Sequence, residues 1–204
     1  VSAFCNAGFD MFGGFSSLTS YTSDIIVNLT VMSLIVLGGI GFTVIADVWN
    51  SRSVRDCSFH TKIVLGTTTL LIILGTIAVY FSELNYALKP LDGSTKVMAS
   101  LFQSVTARTA GFNTIDTGSL REGTLFLIIV LMFIGASPTS TGGGIKTSTF
   151  TVILLGMHAF ILGKEEPQVL GRQVPQKTIQ KAFILLALAV MLIILVTLLL
   201  SFSE

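Results

Sequence analysis

Charge is scarce in this chain of 204 residues: Asp, Glu, Lys and Arg make up 11% of it and the formal net charge is +1. Ordinary soluble domains carry roughly 25% charged residues, so this chain has too few to cover a soluble surface. A near-neutral chain also lacks the basic field of a nucleic-acid binder. Two cysteines, Cys5 and Cys57, exclude a disulfide framework. Two histidines, His60 and His158, have no ligand-spaced partners, so no metal site is expected. No Ser/His/Asp or Cys/His set stands at catalytic spacing, which disfavours an enzyme, including an intramembrane hydrolase. The first residue is Val1 and no basic n-region follows, so there is no signal peptide to read. An apolar run reaches almost to Ser203-Glu204, and the chain reads as a piece of a longer polypeptide. What is abundant is apolar: 51% of residues are hydrophobic, mean hydropathy is +0.84, and the apolar residues fall in long runs, which excludes a disordered chain. The class is an integral membrane protein.

A spanning helix needs about 20 apolar residues, because 1.5 Å per residue must cross roughly 30 Å of hydrocarbon. Residues 25–46, 63–81 and 182–202 satisfy this, bounded by Asp24 and Asp47, by Lys62 and Glu83, and by Lys181. Asn28 is a polar exception in the first run; Asn28-Leu29-Thr30 matches a glycosylation sequon but falls inside the span, where it cannot be used.

Residues 123–162 differ. Two apolar stretches flank Ser137, Pro138, Thr139, Ser140, Thr141, Gly142, Gly143, Gly144, Ile145, Lys146 and Thr147. The first half would reach only about 21 Å and the whole about 60 Å. Proline and three successive glycines break a helix by several kcal/mol in sum. Backbone freed in this way is tolerated only inside protein or beside a water-filled cavity. The expectation is a broken transmembrane helix over 122–163 with an intramembrane loop at 137–147. Lys146 at membrane depth costs about 3 kcal/mol on insertion scales, so it is a barrier or is anchored to a carboxylate or to carbonyls. A phosphate-loop reading fails, since Ile145 separates the glycines from the lysine and no strand precedes them.

The loop at 50–62 carries Arg52, Arg55 and Lys62 against Asp56, and that at 163–181 carries Lys164, Arg172, Lys177 and Lys181 against Glu165 and Glu166. Both are expected to be cytoplasmic by the positive-inside rule. Residues 1–21 and 82–122 then lie outside. Within the latter, Val97, Met98, Leu101, Phe102 and Val105 recur at helical spacing after Ser94, a possible cap, giving a short helix over 94–106. A loop with little regular propensity follows at 107–116. A short helix leading into a glycine-containing loop between two spans is the layout of a re-entrant pore loop. The helix carboxyl end carries about half a negative charge, and extended backbone can replace an ion's water shell with carbonyls. Glu83 at the outer end of its span reads as a partner of this scaffold rather than a surface charge. Arg108, inside the loop, reads as a salt-bridge anchor, since it would repel the ion.

The pattern recurs. Residues 1–10 (Val-Ser-Ala-Phe-Cys-Asn-Ala-Gly-Phe-Asp) align with 104–113 (Ser-Val-Thr-Ala-Arg-Thr-Ala-Gly-Phe-Asn), with Ala-Gly-Phe identical and Asp10 answering Asn113. Both are followed by a polar stretch and a long apolar run. Leu37-Gly-Gly-Ile-Gly41 lies at a similar offset from its loop as Gly142-Gly-Gly144. The repeat unit is span, pore loop, span. One unit ends within 1–49 (loop 1–10, helix 22–49), a whole unit occupies 62–163 (helix 62–83, pore helix 94–106, filter loop 107–114, broken helix 122–163), and 176–204 opens a third.

These three motifs together, in this order and spacing, resemble the Trk/Ktr/HKT superfamily of potassium transporters, with the bacterial Ktr-type membrane subunit nearest. The resemblance implies four span–pore–span units around one ion path, and a filter glycine in each, here Gly8 and Gly111. It implies a filter backbone of Asn6, Ala7, Gly8 and Phe9 with Thr109, Ala110, Gly111 and Phe112. It also implies a gating loop at 137–147 beneath the filter. Homodimers seated on a cytosolic ring of nucleotide-binding regulatory subunits are implied as partners. Glycine rather than serine at both visible filters favours potassium over sodium. The expected protein is an all-α, multi-pass cell-membrane pore subunit for potassium uptake, with no cofactor and no metal beyond transported K+ or Na+. Hydroxyls of Ser140 and Thr141 are expected to line the route. The alternatives are a sodium-preferring member or a non-conducting membrane scaffold.

Overall fold

The computed structural model describes residues 1–10, 16–51, 53, 56–163, 167–169 and 172–202. Among them run helices α1 (Ile25–Ile40), α2 (Phe42–Ser51), α3 (Phe59–Glu83), α4 (Gly93–Thr106), α5 (Glu122–Phe133), α6 (Thr147–Ile161) and α7 (Gln176–Ser201). Short 3-10 turns sit at Thr19–Tyr21 and Thr117–Ser119. A two-residue antiparallel pair, β1 (Gln168–Val169) with β2 (Arg172–Gln173), is a small addition to an all-helical fold. The chain divides into two compact units, Val1–Thr147 and Ser148–Glu204. Arg52, Arg55, Lys164, Glu165, Glu166, Ser203 and Glu204, named in the sequence reading, lie outside the described residues.

Helices α3 and α7 are each long and apolar enough to cross a membrane. The run at 25–46, expected as one straight span within a helix at 22–49, is instead two helices bent by 94° at Gly41. The cause is local. Gly41 takes φ +95°, and a Cβ there would collide with the Pro138 carbonyl oxygen. The glycines at 38, 39 and 41 therefore mark a break, as the triglycine at 142–144 does. Asp24 starts α1 by accepting the amides of Ile26 and Val27 at 2.9 and 3.1 Å. Buried Asn28 turns back to donate to the carbonyls of Tyr21 and Asp24 at 2.8 and 2.7 Å. That explains a polar residue in an apolar run. Past the bend, Asp47 of α2 accepts the Ser58 amide at 2.9 Å, where Ser58 caps α3.

Helix α4 packs against both α1 and α3. Its buried Phe102 and Val105 meet Met32 and Ile35 of α1 and Ala110 and Phe112 of the following loop. On the α3 side Gly75 lies against Ser104, whose hydroxyl donates to the Ile72 carbonyl at 2.9 Å. The helix starts one residue before the expected Ser94: Asp92 stands at the N-cap, and Ser94 lies in the first turn.

At α5, twelve residues give about 18 Å, short of a span. Its start is fixed by Glu83, fully buried at 0% exposure. The Glu83 carboxylate accepts from the Arg121 amide (3.0 Å), the Ala87 amide (3.4 Å) and the Thr124 hydroxyl. A carboxylate beside a helix amino end is stabilised by the helix dipole. Arg121 stacks its guanidinium 4.1 Å from the Tyr86 ring centre. Glu83 is thus a structural residue joining α3 to α5. In the second unit, Gly156 of α6 lies against Ile179 of α7.

Candidate functional site

Three segments that the sequence singles out meet within the first unit. The first loop, residues 1–10, and the second, 107–113, share one backbone signature. Asn6 and Gly8 take positive φ (+50° and +62°), and so do Thr109 and Gly111 (+78° and +83°), each pair separated by an alanine on the negative side. Consecutive peptides of a regular strand point to alternate sides. Alternating handedness turns successive peptide groups the same way. Left-handed geometry costs an L-residue roughly 1–2 kcal/mol, so two non-glycine examples at equivalent positions require support from their surroundings.

That support differs between the loops. Thr106 of α4 donates to the Phe112 carbonyl at 2.6 Å, and the Ala110 amide returns to Thr106 O at 3.0 Å. Buried Arg108 reaches the Thr68 carbonyl of α3 at 3.2 Å. Among the described residues no carboxylate forms the expected salt bridge with Arg108; a main-chain oxygen anchors the loop instead. Asn113 joins the segment after the first loop: its amide donates to Ser17 Oγ at 3.0 Å and its carbonyl accepts the Leu18 amide at 2.9 Å. The first loop is held instead by Ser2, whose hydroxyl accepts the Phe9 amide at 3.0 Å, and by the segment between α5 and α6.

The two loops touch backbone to backbone. A Cβ on Gly8 would lie 2.5 Å from the Ala110 carbonyl oxygen and 3.1 Å from Gly111 Cα. Ala110 O thus faces the first loop. Among the described residues no donor engages the main-chain oxygens of Asn6, Ala7, Gly8, Phe9, Thr109, Ala110 or Gly111, while Phe112 O is engaged by Thr106. Ala7, Phe9 and Gly111 are exposed and Ala110 is buried, so the seven carbonyls form a partly open surface on two facing loops that a cation or water can complete. Thr109 Oγ1 and Asn6 Oδ1 are buried with no partner among the described residues.

The segment between α5 and α6 folds onto itself. Ile145 N donates to Phe133 O (3.0 Å), Ala136 N to Gly143 O (3.1 Å) and Thr147 N to Ala136 O (3.3 Å), so these backbone groups are paired within the segment. Ser137 Oγ pairs with Thr147 Oγ1 at 3.1 Å, and Ser140 donates to the Ser137 carbonyl at 2.5 Å. Lys146 Nζ donates to Gly142 O at 2.7 Å, which anchors its charge to a carbonyl of its own loop. Thr139, at φ +58°, is gripped by α2, accepting the Phe42 amide at 3.2 Å and sharing a 2.9 Å hydroxyl bond with Thr43. Ser137 N and Thr141 N donate to the carbonyls of Gly39 and Gly38. The loop is therefore seated on the break in α1–α2.

Its tip meets both repeats at equivalent positions. Thr141 Oγ1 lies 3.0 Å from Asn6 Nδ2 and 3.1 Å from Phe4 O. A Cβ on the next residue, Gly142, would lie 2.5 Å from Thr109 Oγ1. Glycine is needed there for the approach, not for its φ. The sequence reading missed Gly38, Gly39 and Gly41 as the seat of the loop, although their match to the triglycine was visible.

A family model described as TrkH, cation transport protein, matches residues 1–203. Over 184 residues the chain is 44% identical to Ktr system potassium uptake protein B of Bacillus subtilis, covering 89% of this chain and 41% of that protein. Over 205 residues it is 36% identical to the potassium/sodium uptake protein NtpJ of Enterococcus hirae, covering 100% of this chain and 45% of that one. The chain thus spans less than half the length of these relatives. The solved structure of the potassium transporter TrkH from Vibrio parahaemolyticus shares the fold, with a TM-score of 0.71 at 19% identity, over 89% of this chain and 40% of that one.

Proposed function

The chain belongs to the TrkH family of cation transport proteins, and from that premise we propose that it forms part of a membrane pore for potassium uptake. The observation that carries the proposal is the pair of facing loops whose carbonyls, from Asn6 to Phe9 and from Thr109 to Gly111, have no donor among the described residues. A bare cation in a low-dielectric interior costs tens of kcal/mol, and main-chain oxygens that replace its water offset that cost. Phe112, whose carbonyl already accepts from Thr106, closes the second filter. Helix α4 points its negative carboxyl end at this loop, which adds to the attraction for a cation.

The chain supplies two of four filter segments in a span–pore–span arrangement; this rests on the family resemblance and on the repeat of 1–10 in 104–113. The loop at 137–147 is the gate. Its tip at Thr141 and Gly142 lies against both filters, the Ser140 and Thr141 hydroxyls line the route, and the Lys146 bond to Gly142 O keeps the lysine charge out of it. Sodium acts as a co-ion or activator, in keeping with the potassium/sodium uptake named for one relative. The complete polypeptide lies in the cell membrane as a multi-pass homodimer with loops 50–62 and 163–181 inside. A cytosolic ring of nucleotide-binding subunits docks on those basic loops and biases the gate. The chain needs no cofactor beyond the transported ion and performs no catalysis.

The test is growth. The complete polypeptide carrying this segment should restore growth of an uptake-deficient bacterium on low potassium. Rescue confined to sodium-dependent phenotypes would favour a sodium transporter, and no rescue with normal membrane insertion would favour a scaffold. The 204-residue segment reconstituted alone should pass no selective current, since two filter quadrants are missing.

A further inference from the structure

Thr141 belongs to the gating loop by sequence, yet its side chain is bonded to the filter. Its hydroxyl accepts the Asn6 amide at 3.0 Å and faces two carbonyls, Phe4 O at 3.1 Å and Gly38 O at 3.2 Å. A threonine hydroxyl has one hydrogen to give. Gly38 O already accepts the Thr141 amide at 3.3 Å, so the hydrogen is most useful to Phe4 O, two residues before Asn6. A Cβ on Gly38 would collide with that same Phe4 carbonyl, so the α1 break and the first filter are in contact just where the hydroxyl bridges them. Asn6 is the non-glycine residue that holds left-handed φ at +50° in the first filter. Among the described residues its Nδ2 has this one partner, while its Oδ1 is buried without any. The equivalent Thr109 has no bond from the gating loop; its neighbour there is Gly142, which lacks a side chain to offer.

We infer that Thr141 is a positioning residue for ion discrimination: it fixes the backbone of the first filter through Asn6 and Phe4, so that the state of the gate is read directly by the geometry of that filter. The inference rests on the pore reading above. When the loop moves, the hydroxyl leaves with it, and Asn6 loses the bond that holds its unfavourable φ. The first filter then relaxes while the second, tied to α4 and α3 by Thr106 and Arg108, does not. A gate that merely blocks would alter how many ions pass. A gate bonded to the filter also alters which ions pass. Thr141 is exposed, so loss of its hydroxyl leaves no buried cavity, and the effect is expected in filter geometry rather than in folding.

The experiment compares potassium and sodium uptake by vesicles of the complete polypeptide, for wild type, T141V, T141S and N6A. T141V keeps the shape and removes the hydroxyl; it should lower the potassium-to-sodium preference roughly fivefold, the size of one hydrogen bond. T141S should stay within about twofold of wild type, because the bond is restored. N6A, which removes the amide half, should shift the preference in the same direction. An unchanged preference in T141V, whatever its flux, overturns the inference and leaves the pore reading standing. Should T141V fail to insert, N6A carries the same test. Absence of potassium uptake by inserted wild type overturns the pore reading and this inference with it.

Discussion

The two filter loops share their Ala-Gly-Phe core and their alternation of φ, but not what holds them. The second loop is bonded to its own repeat by Thr106 at Phe112 O and Arg108 at Thr68 O, and to the first repeat by Asn113 and the α1–α4 core; among the described residues it takes no bond from the loop between α5 and α6. The first, besides its own Ser2, is held by the tip of that loop. On the pore reading proposed above, one loop is a rigid filter and the other is conditional on the gate. The lesson is that pseudo-symmetric sequence can encode an asymmetric mechanical role, because the asymmetry lies in which neighbour reaches the repeated residue.

The largest expected effect comes from the filter glycines. At Gly8 a Cβ meets the Ala110 carbonyl at 2.5 Å as well as φ +62°, whereas at Gly111, with φ +83°, the nearest atom is 3.5 Å away. G8A should therefore reduce potassium uptake per inserted molecule far more than G111A, whose cost is backbone strain of about 1–2 kcal/mol. Equal losses would contradict the contact between the loops. Next, deleting residues 137–147 should abolish control by the proposed cytosolic partner and relax the first filter, read as raised flux with weaker ion preference. Unchanged flux and regulation would remove this segment from the gate.

Smaller effects separate the supports. R108M removes the charged hydrogen bond to Thr68 O, which should cost about 1.5–3 kcal/mol and lower the thermal midpoint in detergent. A midpoint equal to wild type would mean that the second loop is not anchored by α3. T106V should cost about 1 kcal/mol and alter ion preference equally with the gate open or closed. If its effect instead depended on gate state, as expected for T141V, the distinction between a rigid and a conditional filter would fail.

Much of this arrangement is legible in the residues. Helix α4, the two Ala-Gly-Phe loops and the irregular segment between α5 and α6 follow from apolar periodicity, glycine and proline, and the repeat of Ala-Gly-Phe. The bend at Gly41 was not read, because residues 25–46 are apolar enough to cross straight; only the facing Pro138 carbonyl makes the break visible. Glu83 and Arg108 were singled out as charges in apolar surroundings, but their partners, the start of α5 and the Thr68 carbonyl, are 38 and 40 residues away in the chain. The bond between Asn6 and Thr141 spans 135 residues. Hydropathy and local propensity hold no information on such pairs.

The account turns on main-chain oxygens receiving a dehydrated ion. Crystals of the complete polypeptide soaked in rubidium or thallium would test this directly by anomalous scattering. The expected result is a peak on the axis faced by the carbonyls of residues 6–8 and 109–111. A peak bound only to side-chain carboxylates, or none near either loop in an ion-saturated crystal, would contradict it.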